Sequence, residues 1–126
     1  MNDAPVPQEN GLEVACDAVG TRLLFENEVI RVWDLSLAPG ESLPKHVHRL
    51  PYCFIVSKGG HLQHAEPGHP ETARDVNFAD NLVVYSDPTT QEGGEAVHLR
   101  LTNVGDAPYQ NYVIEFKQVQ RKESGS

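Results

Sequence analysis

Two of the six histidines in the chain, His46 and His48, are separated by a single valine and follow a Pro39-Gly40 turn. Side chains alternate along a β-strand, so residues i and i+2 point to the same face. On a strand, these two imidazoles could bind one metal ion through bonds of roughly 2.0–2.1 Å. Two surface histidines beside a turn remain the alternative, because an H-x-H pair alone is weak evidence for a metal site.

A third imidazole is available from His98, in the segment AVHLRLTNVGDAP. In an antiparallel barrel this segment could lie across from the pair and offer a third nitrogen. The other histidines are His61, His64 and His69, and their spacing of three and then five residues matches no single strand face. We therefore expect those three to face solvent on an exposed hairpin or loop.

The segments that must position these residues have the patterns of β-strands. Five segments show alternation or a short apolar run, and Gly and Pro turns separate them: EVIRVWDLSL, YCFIVSK, NLVVYSD, AVHLRLTN and YQNYVIEFKQV. No helical apolar pattern persists beyond two turns, which disfavours a parallel α/β architecture. The sequence predicts an all-β sandwich or barrel. Within it, we expect Glu115 to pair with Arg31 across the sheet.

The length, charge and hydrophobicity of the chain limit the classes of function that we expect. A chain of 126 residues has the size of one domain. Its net charge of −8 would repel phosphate backbones and anionic membranes, so we expect no nucleic-acid and no membrane partner. The apolar runs are too short to cross a bilayer, and MNDAPVPQENG lacks the pattern of a secretion signal. A cytoplasmic location is expected, and two cysteines make no disulfide framework.

The chain resembles the small single-domain proteins of the cupin superfamily, whose first motif runs Gly, five residues, His-x-His, three or four residues, Glu, six residues, Gly. Here Gly40, His46-Val-His48 and Gly59 hold those spacings, with Tyr52 at the glutamate position. The second motif is matched by His98, Asn103, Gly105, Asp106 and Pro108. The resemblance covers roughly residues 22–118 and implies a double-stranded β-helix, or jelly-roll, barrel.

The sequence departs from the cupin pattern at two points. Tyr52, or Cys53 if the longer spacing applies, replaces the glutamate, and Cys53 resembles a cysteine near this position in some thiol dioxygenases. The second motif has four residues rather than three between His98 and Asn103, and the extra residue could form a β-bulge that re-aims His98. Without the carboxylate, three neutral imidazoles would leave the ion its full +2 charge. A chelating anionic substrate could replace the missing charge.

The resemblance implies a metal-binding cupin that acts on a small anionic metabolite by Lewis-acid or oxygenase chemistry, as in the three-histidine cupin dioxygenases. His46, His48 and His98 would hold a divalent ion, Fe(II), Ni(II), Mn(II) or Zn(II). Tyr52 would hydrogen-bond the substrate or a bound water, or serve as a core aromatic. The alternative function is a metal-free cupin that binds a small ligand or a partner without catalysis.

Arg100 is a further candidate. If His98 points into the barrel, strand alternation sends Arg100 the same way, where its guanidinium would bind a carboxylate. A solvent-facing Arg100 is the alternative.

We predict an N-terminal arm over residues 1–21, the cupin barrel over 22–118 and a flexible tail over 119–126. The resemblance also implies a homodimer. The segment NEVIRVWDLSLAPGE is loosely similar to small cupins assigned to amino-acid or β-alanine breakdown, which leaves the reaction undetermined.

Overall fold

The computed structural model describes residues 18–65 and 74–117. Most of the predicted arm, all of the predicted tail and His69 lie outside these residues. The described residues form the strands β1 Arg22–Glu26, β2 Ile30–Leu37, β3 Ser42–Leu43, β4 His46–His48, β5 Tyr52–Lys58, β6 Gly60–Ala65, β7 Arg74–Phe78, β8 Val83–Ser86, β9 Ala96–His98, β10 Arg100–Asn103 and β11 Tyr109–Phe116. Two short 3₁₀ turns, Pro88–Thr90 and Glu92–Gly94, lie between β8 and β9.

The strands form two larger sheets and one separate pair. One sheet has the order β1-β2-β11-β5-β8, the other has the order β3-β10-β6-β7, and β4 pairs with β9. Every one of these pairings is antiparallel. The all-β prediction is confirmed. No helix among the described residues is long and apolar enough to cross a membrane.

The core lies between the two sheets and follows the alternation of their strands. In β11 the residues from Tyr109 to Glu115 alternate between buried and partly buried positions. Alternate residues of β2 face them, with Leu37 opposite Tyr109 and Trp33 opposite Val113. Leu62 of β6 joins the same apolar cluster from the other sheet. Burying such side chains stabilises each by roughly 1.5–3 kcal/mol relative to exposure.

The two glycines of the first motif, Gly40 and Gly59, are needed for different physical reasons. Gly40 has a φ of +87° in the turn after β2, a conformation that disfavours residues with a side chain. At Gly59 a β-carbon would lie 2.1 Å from the carbonyl oxygen of Phe78. Only glycine fits where β5 turns into β6 against β7.

Asn103 ties three segments of backbone together. Its side chain is fully buried, and its Nδ2 donates to the carbonyl oxygens of Leu37 and Ala107, each at 2.9 Å. The N–H of Gly105 donates to its Oδ1, also at 2.9 Å. The asparagine of the second motif therefore stabilises the turn after β10.

The predicted pair between Glu115 and Arg31 is confirmed. The two residues are direct cross-strand partners, and the Nε of Arg31 donates to Glu115 Oε1 at 2.8 Å. The indole Nε1 of Trp33 donates to the same oxygen at 2.8 Å. These two donors compensate a carboxylate that is almost completely buried.

Candidate metal centre

Three imidazoles converge on one point, as the sequence predicts. His46 and His48 lie on the same face of β4, and His46 is the direct cross-strand partner of His98 on β9. The ring centroids are 5.0 Å apart for His46 and His48, 5.1 Å for His46 and His98, and 4.7 Å for His48 and His98. One nitrogen from each ring lies within 4.8 Å of the other two, so the cluster could hold a metal ion.

The cluster is mostly buried, with His98 partly exposed, and burial decides its protonation state. His46 and His48 are only 5% and 4% exposed. Burial, followed by the neighbouring histidines, lowers the pKa of His48 to about 2. Burial, followed by His64, His46 and Arg74, lowers the pKa of His98 to about 3. At neutral pH all three rings are therefore neutral, which is the form that binds metal.

The hydrogen-bonding states of His46 and His48 are both consistent with binding a metal ion. His46 Nδ1 lies 2.9 Å from the carbonyl oxygen of Pro44, which fixes the tautomer with the proton on Nδ1 and leaves Nε2 as a ligand. His48 Nδ1 is buried without a hydrogen-bond partner among the described residues. A buried ring nitrogen without a hydrogen-bond partner is unfavourable in a residue that only packs in the core. Its position in a cluster of three imidazoles therefore favours a metal ligand.

Tyr52, at the position of the cupin glutamate, packs directly against the cluster. Its ring stacks on that of His48 with centroids 4.1 Å apart and an interplanar angle of 16°. Ser86, the cross-strand partner of Tyr52, also lines the cavity, and burial raises the pKa of Tyr52. Cys53, the next residue, points to the other face of β5 and does not line the cavity.

The cluster forms part of the wall of a cavity of about 420 Å³, at the small end of the range for ligand sites. Much of the remaining wall is apolar, and it includes Leu35, Phe54, Val76, Phe78, Val84 and Val113. Tyr85 also lines the cavity, whereas Trp33, Val56 and Tyr112 do not.

The expected position of Arg100 is wrong. The predicted strand AVHLRLTN is two strands, because the chain leaves β9 after His98 and enters β10 at Arg100. Leu99, between them, donates its N–H to the carbonyl oxygen of Ala65 on β6. This break interrupts the alternation, so Arg100 is exposed and Leu101 lines the cavity instead. The extra residue of the second motif does not turn His98 away from the cluster.

The expectation for His64 is also wrong. Its ring lies 4.4 Å from that of His98, nearly perpendicular to it, and it lines the cavity. A usable signal was the alternation of Leu62 and His64, since a strand that buries Leu62 turns His64 to the same side. His61 matches its solvent-facing expectation, with a side chain 42% exposed and 3.6 Å from Asp75.

Solved structures share this architecture. A cupin domain from Bordetella pertussis Tohama I is 21% identical, with 80% of this chain and 94% of that chain covered and a TM-score of 0.63. An RmlC-like cupin family protein with a double-stranded β-helix fold from Methanocaldococcus jannaschii is 19% identical, with 75% and 76% covered and a TM-score of 0.56. A conserved protein with a double-stranded β-helix domain from Klebsiella pneumoniae is 18% identical, with 87% and 82% covered and a TM-score of 0.54.

No family model and no curated protein matches the sequence. The structural likenesses, at these identities, show the fold and nothing further. The predicted jelly-roll architecture is confirmed.

Proposed function

We propose that this chain, which has the double-stranded β-helix fold of the cupins, binds one divalent metal ion through His46, His48 and His98 and acts on a small anionic metabolite. The observation that carries the proposal is the buried cluster of three neutral imidazoles, whose ligand nitrogens lie within 4.8 Å of one another. The cluster opens into a cavity large enough for a small molecule.

The three imidazole nitrogens support both the proposed metal ions and an anionic substrate. Imidazole nitrogens suit Fe(II), Ni(II), Mn(II) and Zn(II), and three of them add no negative charge to the ion. When bound, the ion would supply Lewis-acid chemistry or, with a redox-active metal, oxygenase chemistry of the cupin dioxygenase type. The uncompensated charge favours a substrate that brings an anionic oxygen with it.

The residues of the chain have separable roles in this proposal. Pro44 orients the ring of His46 through its carbonyl oxygen, and Tyr52 holds the ring of His48 by stacking. The apolar side chains of the cavity wall exclude water from the substrate. The Tyr52 hydroxyl belongs to a residue of the cavity wall and would hydrogen-bond the substrate.

The experiment is metal analysis of protein purified without chelators and after reconstitution with each of the four metals. We expect one equivalent of metal in the wild type and in the His61→Ala control, and a loss of most of it in His98→Ala. His61 is a suitable control because it is a partly exposed histidine outside the cavity lining. A wild type that binds none of the four metals would instead support the metal-free binding module.

A homodimer is part of the same proposal. Large apolar side chains are exposed on the outer face of the five-stranded sheet: Phe25 at 51%, Ile55 at 38%, Val83 at 59% and Phe116 at 37%. An apolar face of this kind is typical of an interaction surface. A second copy would cover it with the same face about a two-fold axis.

A further inference from the structure

Two buried side-chain atoms have no hydrogen-bond partner within the described part of the chain, and both belong to residues that line the same cavity. One is Nδ1 of His48, in the histidine cluster. The other is Oδ1 of Asn111, on β11. A buried polar atom without a partner is unfavourable for folding. A metal ion would account for the unsatisfied ring of His48, whereas the proposed function assigns no partner to the oxygen of Asn111.

Asn111 occupies an inward position of β11 whose neighbours on the same face are apolar. It is only 3% exposed. Leu35 on β2 is its direct cross-strand partner, Val113 lies two residues further along β11, and both line the cavity. An apolar residue at position 111 would continue this wall, and asparagine is depleted in β-strands. Neither packing nor strand propensity therefore accounts for an asparagine at this position.

The hydrogen bond of the Asn111 amide leaves its oxygen for a ligand. Its Nδ2 donates to the hydroxyl oxygen of Tyr109 at 2.6 Å. Tyr109 is 1% exposed and does not line the cavity. The nitrogen is thus held by the protein interior, and the oxygen is the end of this cavity-lining amide that has no partner among the described residues. An amide oxygen only accepts hydrogen bonds, so a ligand that complements it carries an O–H or N–H donor.

The charge of the cavity favours an uncharged donor. No Asp or Glu is among the described residues that line it. A ligand ammonium group would therefore have no carboxylate there to compensate its charge, and in the proposed function it would share the cavity with a divalent cation. A hydroxyl group can donate the same hydrogen bond without bringing a positive charge.

We propose that Asn111 is a specificity-determining residue of the cavity, and that its Oδ1 accepts a hydrogen bond from a hydroxyl group of the ligand. This inference rests on the proposed function for the anionic end of the ligand, and it narrows the substrate class to short hydroxy acids. Tyr109 is a positioning residue, because its hydroxyl holds the amide nitrogen. A deoxy analogue would leave Oδ1 without a partner, and a site built to bind a hydroxyl group discriminates against such an analogue.

The test compares short hydroxy acids with their deoxy partners by isothermal titration calorimetry. The pairs are 3-hydroxypropionate with propionate, 4-hydroxybutyrate with butyrate, and 5-hydroxypentanoate with pentanoate, which place the hydroxyl at increasing distance from the carboxylate. Each compound is measured on metal-free and on Zn(II)-loaded full-length protein. Asn111→Leu is the main variant, and Asn77→Leu is the control because Asn77 is exposed on β7 and outside the cavity lining.

A double variant protects the test against loss of stability. Asn111→Leu leaves the Tyr109 hydroxyl without the amide that donates to it. Asn111→Leu with Tyr109→Phe removes both members of this buried hydrogen bond, a change that is less costly than the removal of one. Thermal unfolding of each variant verifies that it is folded, and the comparison within the wild type does not depend on any variant.

We expect the wild type to bind at least one hydroxy acid about tenfold more tightly than its deoxy partner, as for one hydrogen bond to a buried acceptor. This preference should fall to within about twofold in Asn111→Leu and in the double variant, and persist in Asn77→Leu. The side-chain amide signal of Asn111 in nitrogen–proton NMR spectra, identified by its loss in Asn111→Leu, should shift with the hydroxy acid and not with the deoxy partner. The absence of a hydroxyl preference in every pair, or a preference that survives in both Asn111 variants, would overturn the proposal.

The metal content of the same samples separates this inference from the proposed function. Protein that binds no metal but still prefers the hydroxy acid through Asn111 would retain the hydroxyl subsite and overturn the metal centre. Protein that binds one equivalent of metal without any hydroxyl preference would retain the metal centre and overturn the hydroxyl subsite.

Discussion

His46 and His98 are direct cross-strand partners in the β4–β9 pair, and their ring centroids lie 5.1 Å apart. A single antiparallel pairing therefore brings the two halves of the histidine cluster together. His48 completes it from the same face of β4. The position of the three nitrogens depends on strand register, because a slip of one residue would turn each ring to the opposite face.

The buried cluster makes the metal-free protein sensitive to acid. The pKa is about 2 for His48 and about 3 for His98, whereas the ordinary value is 6.5. Between these values the unfolded chain binds more protons than the folded chain, so the free energy of unfolding decreases as the pH falls from 6.5 toward 3. We expect the Tm, measured by circular dichroism with a chelator present, to fall across this window.

A matched pair of variants isolates the histidine contribution from that of the carboxyl groups. His48→Asn should show a shallower decrease in Tm than the wild type, since one depressed pKa is removed. His61→Asn, which changes a partly exposed histidine, should follow the wild type. Identical pH dependence in all three proteins would show that the cluster does not couple to folding.

The Glu115 carboxylate is a buried acidic group with a defined structural role. It accepts hydrogen bonds from Arg31 and Trp33 at 2.8 Å each. We expect Glu115→Ala to lower the free energy of unfolding by about 3–5 kcal/mol, because it leaves the guanidinium of Arg31 without its partner in a mostly buried position. Chemical denaturation measures this change.

Glu95→Ala is the control for Glu115→Ala, because Glu95 pairs with Arg49 at 3.3 Å on the surface, where both side chains are at least 42% exposed. Exposed ion pairs contribute about 0–1 kcal/mol. A Glu115→Ala variant no less stable than Glu95→Ala would contradict the assigned role.

Asn103 should matter for stability and not for metal binding. Asn103→Ala removes three hydrogen bonds and leaves the carbonyl oxygens of Leu37 and Ala107 and the N–H of Gly105 to be satisfied otherwise. We expect a loss of about 2–4 kcal/mol in the free energy of unfolding. Metal stoichiometry of the folded fraction should not change. Asn77→Ala, on an exposed position of β7, is the control and should be nearly neutral.

The outer face of the five-stranded sheet gives a prediction about assembly. Ile55 and Val83 are direct cross-strand partners, and both are exposed there. We expect light scattering to report a dimer for the wild type and a monomer for Ile55→Glu, because two added charges would meet at the interface. Lys58→Glu, on the same strand but among polar neighbours, should remain dimeric. A monomeric wild type would remove this part of the proposal.

The features that the sequence predicts correctly depend on local alternation. His46 and His48 needed only a strand, and Glu115 met Arg31 because both lie on inward positions of regular strands. His98 could be placed because the cupin resemblance supplied the strand opposite. The correctly predicted residues therefore include the whole histidine cluster and one buried ion pair of the larger sheet.

The errors occur where the chain leaves a regular strand. Arg100 was misplaced because the break at Leu99, where the chain changes strands, shifts the alternation, and no residue type marks it. His64 and Arg74 were missed because the polar segment around them lacks the apolar period that indicates a strand, apart from Leu62. Their meeting depends on the register of β6 with β7, which sequence patterning does not specify.

The central claim is that three histidines bind one metal ion, and X-ray absorption at the Zn edge of the reconstituted protein tests it most directly. We predict three imidazole nitrogens at roughly 2.0–2.1 Å in the wild type, and two in His98→Ala protein loaded at excess metal. A spectrum with no imidazole scattering, or one that is unchanged in His98→Ala, would contradict the account.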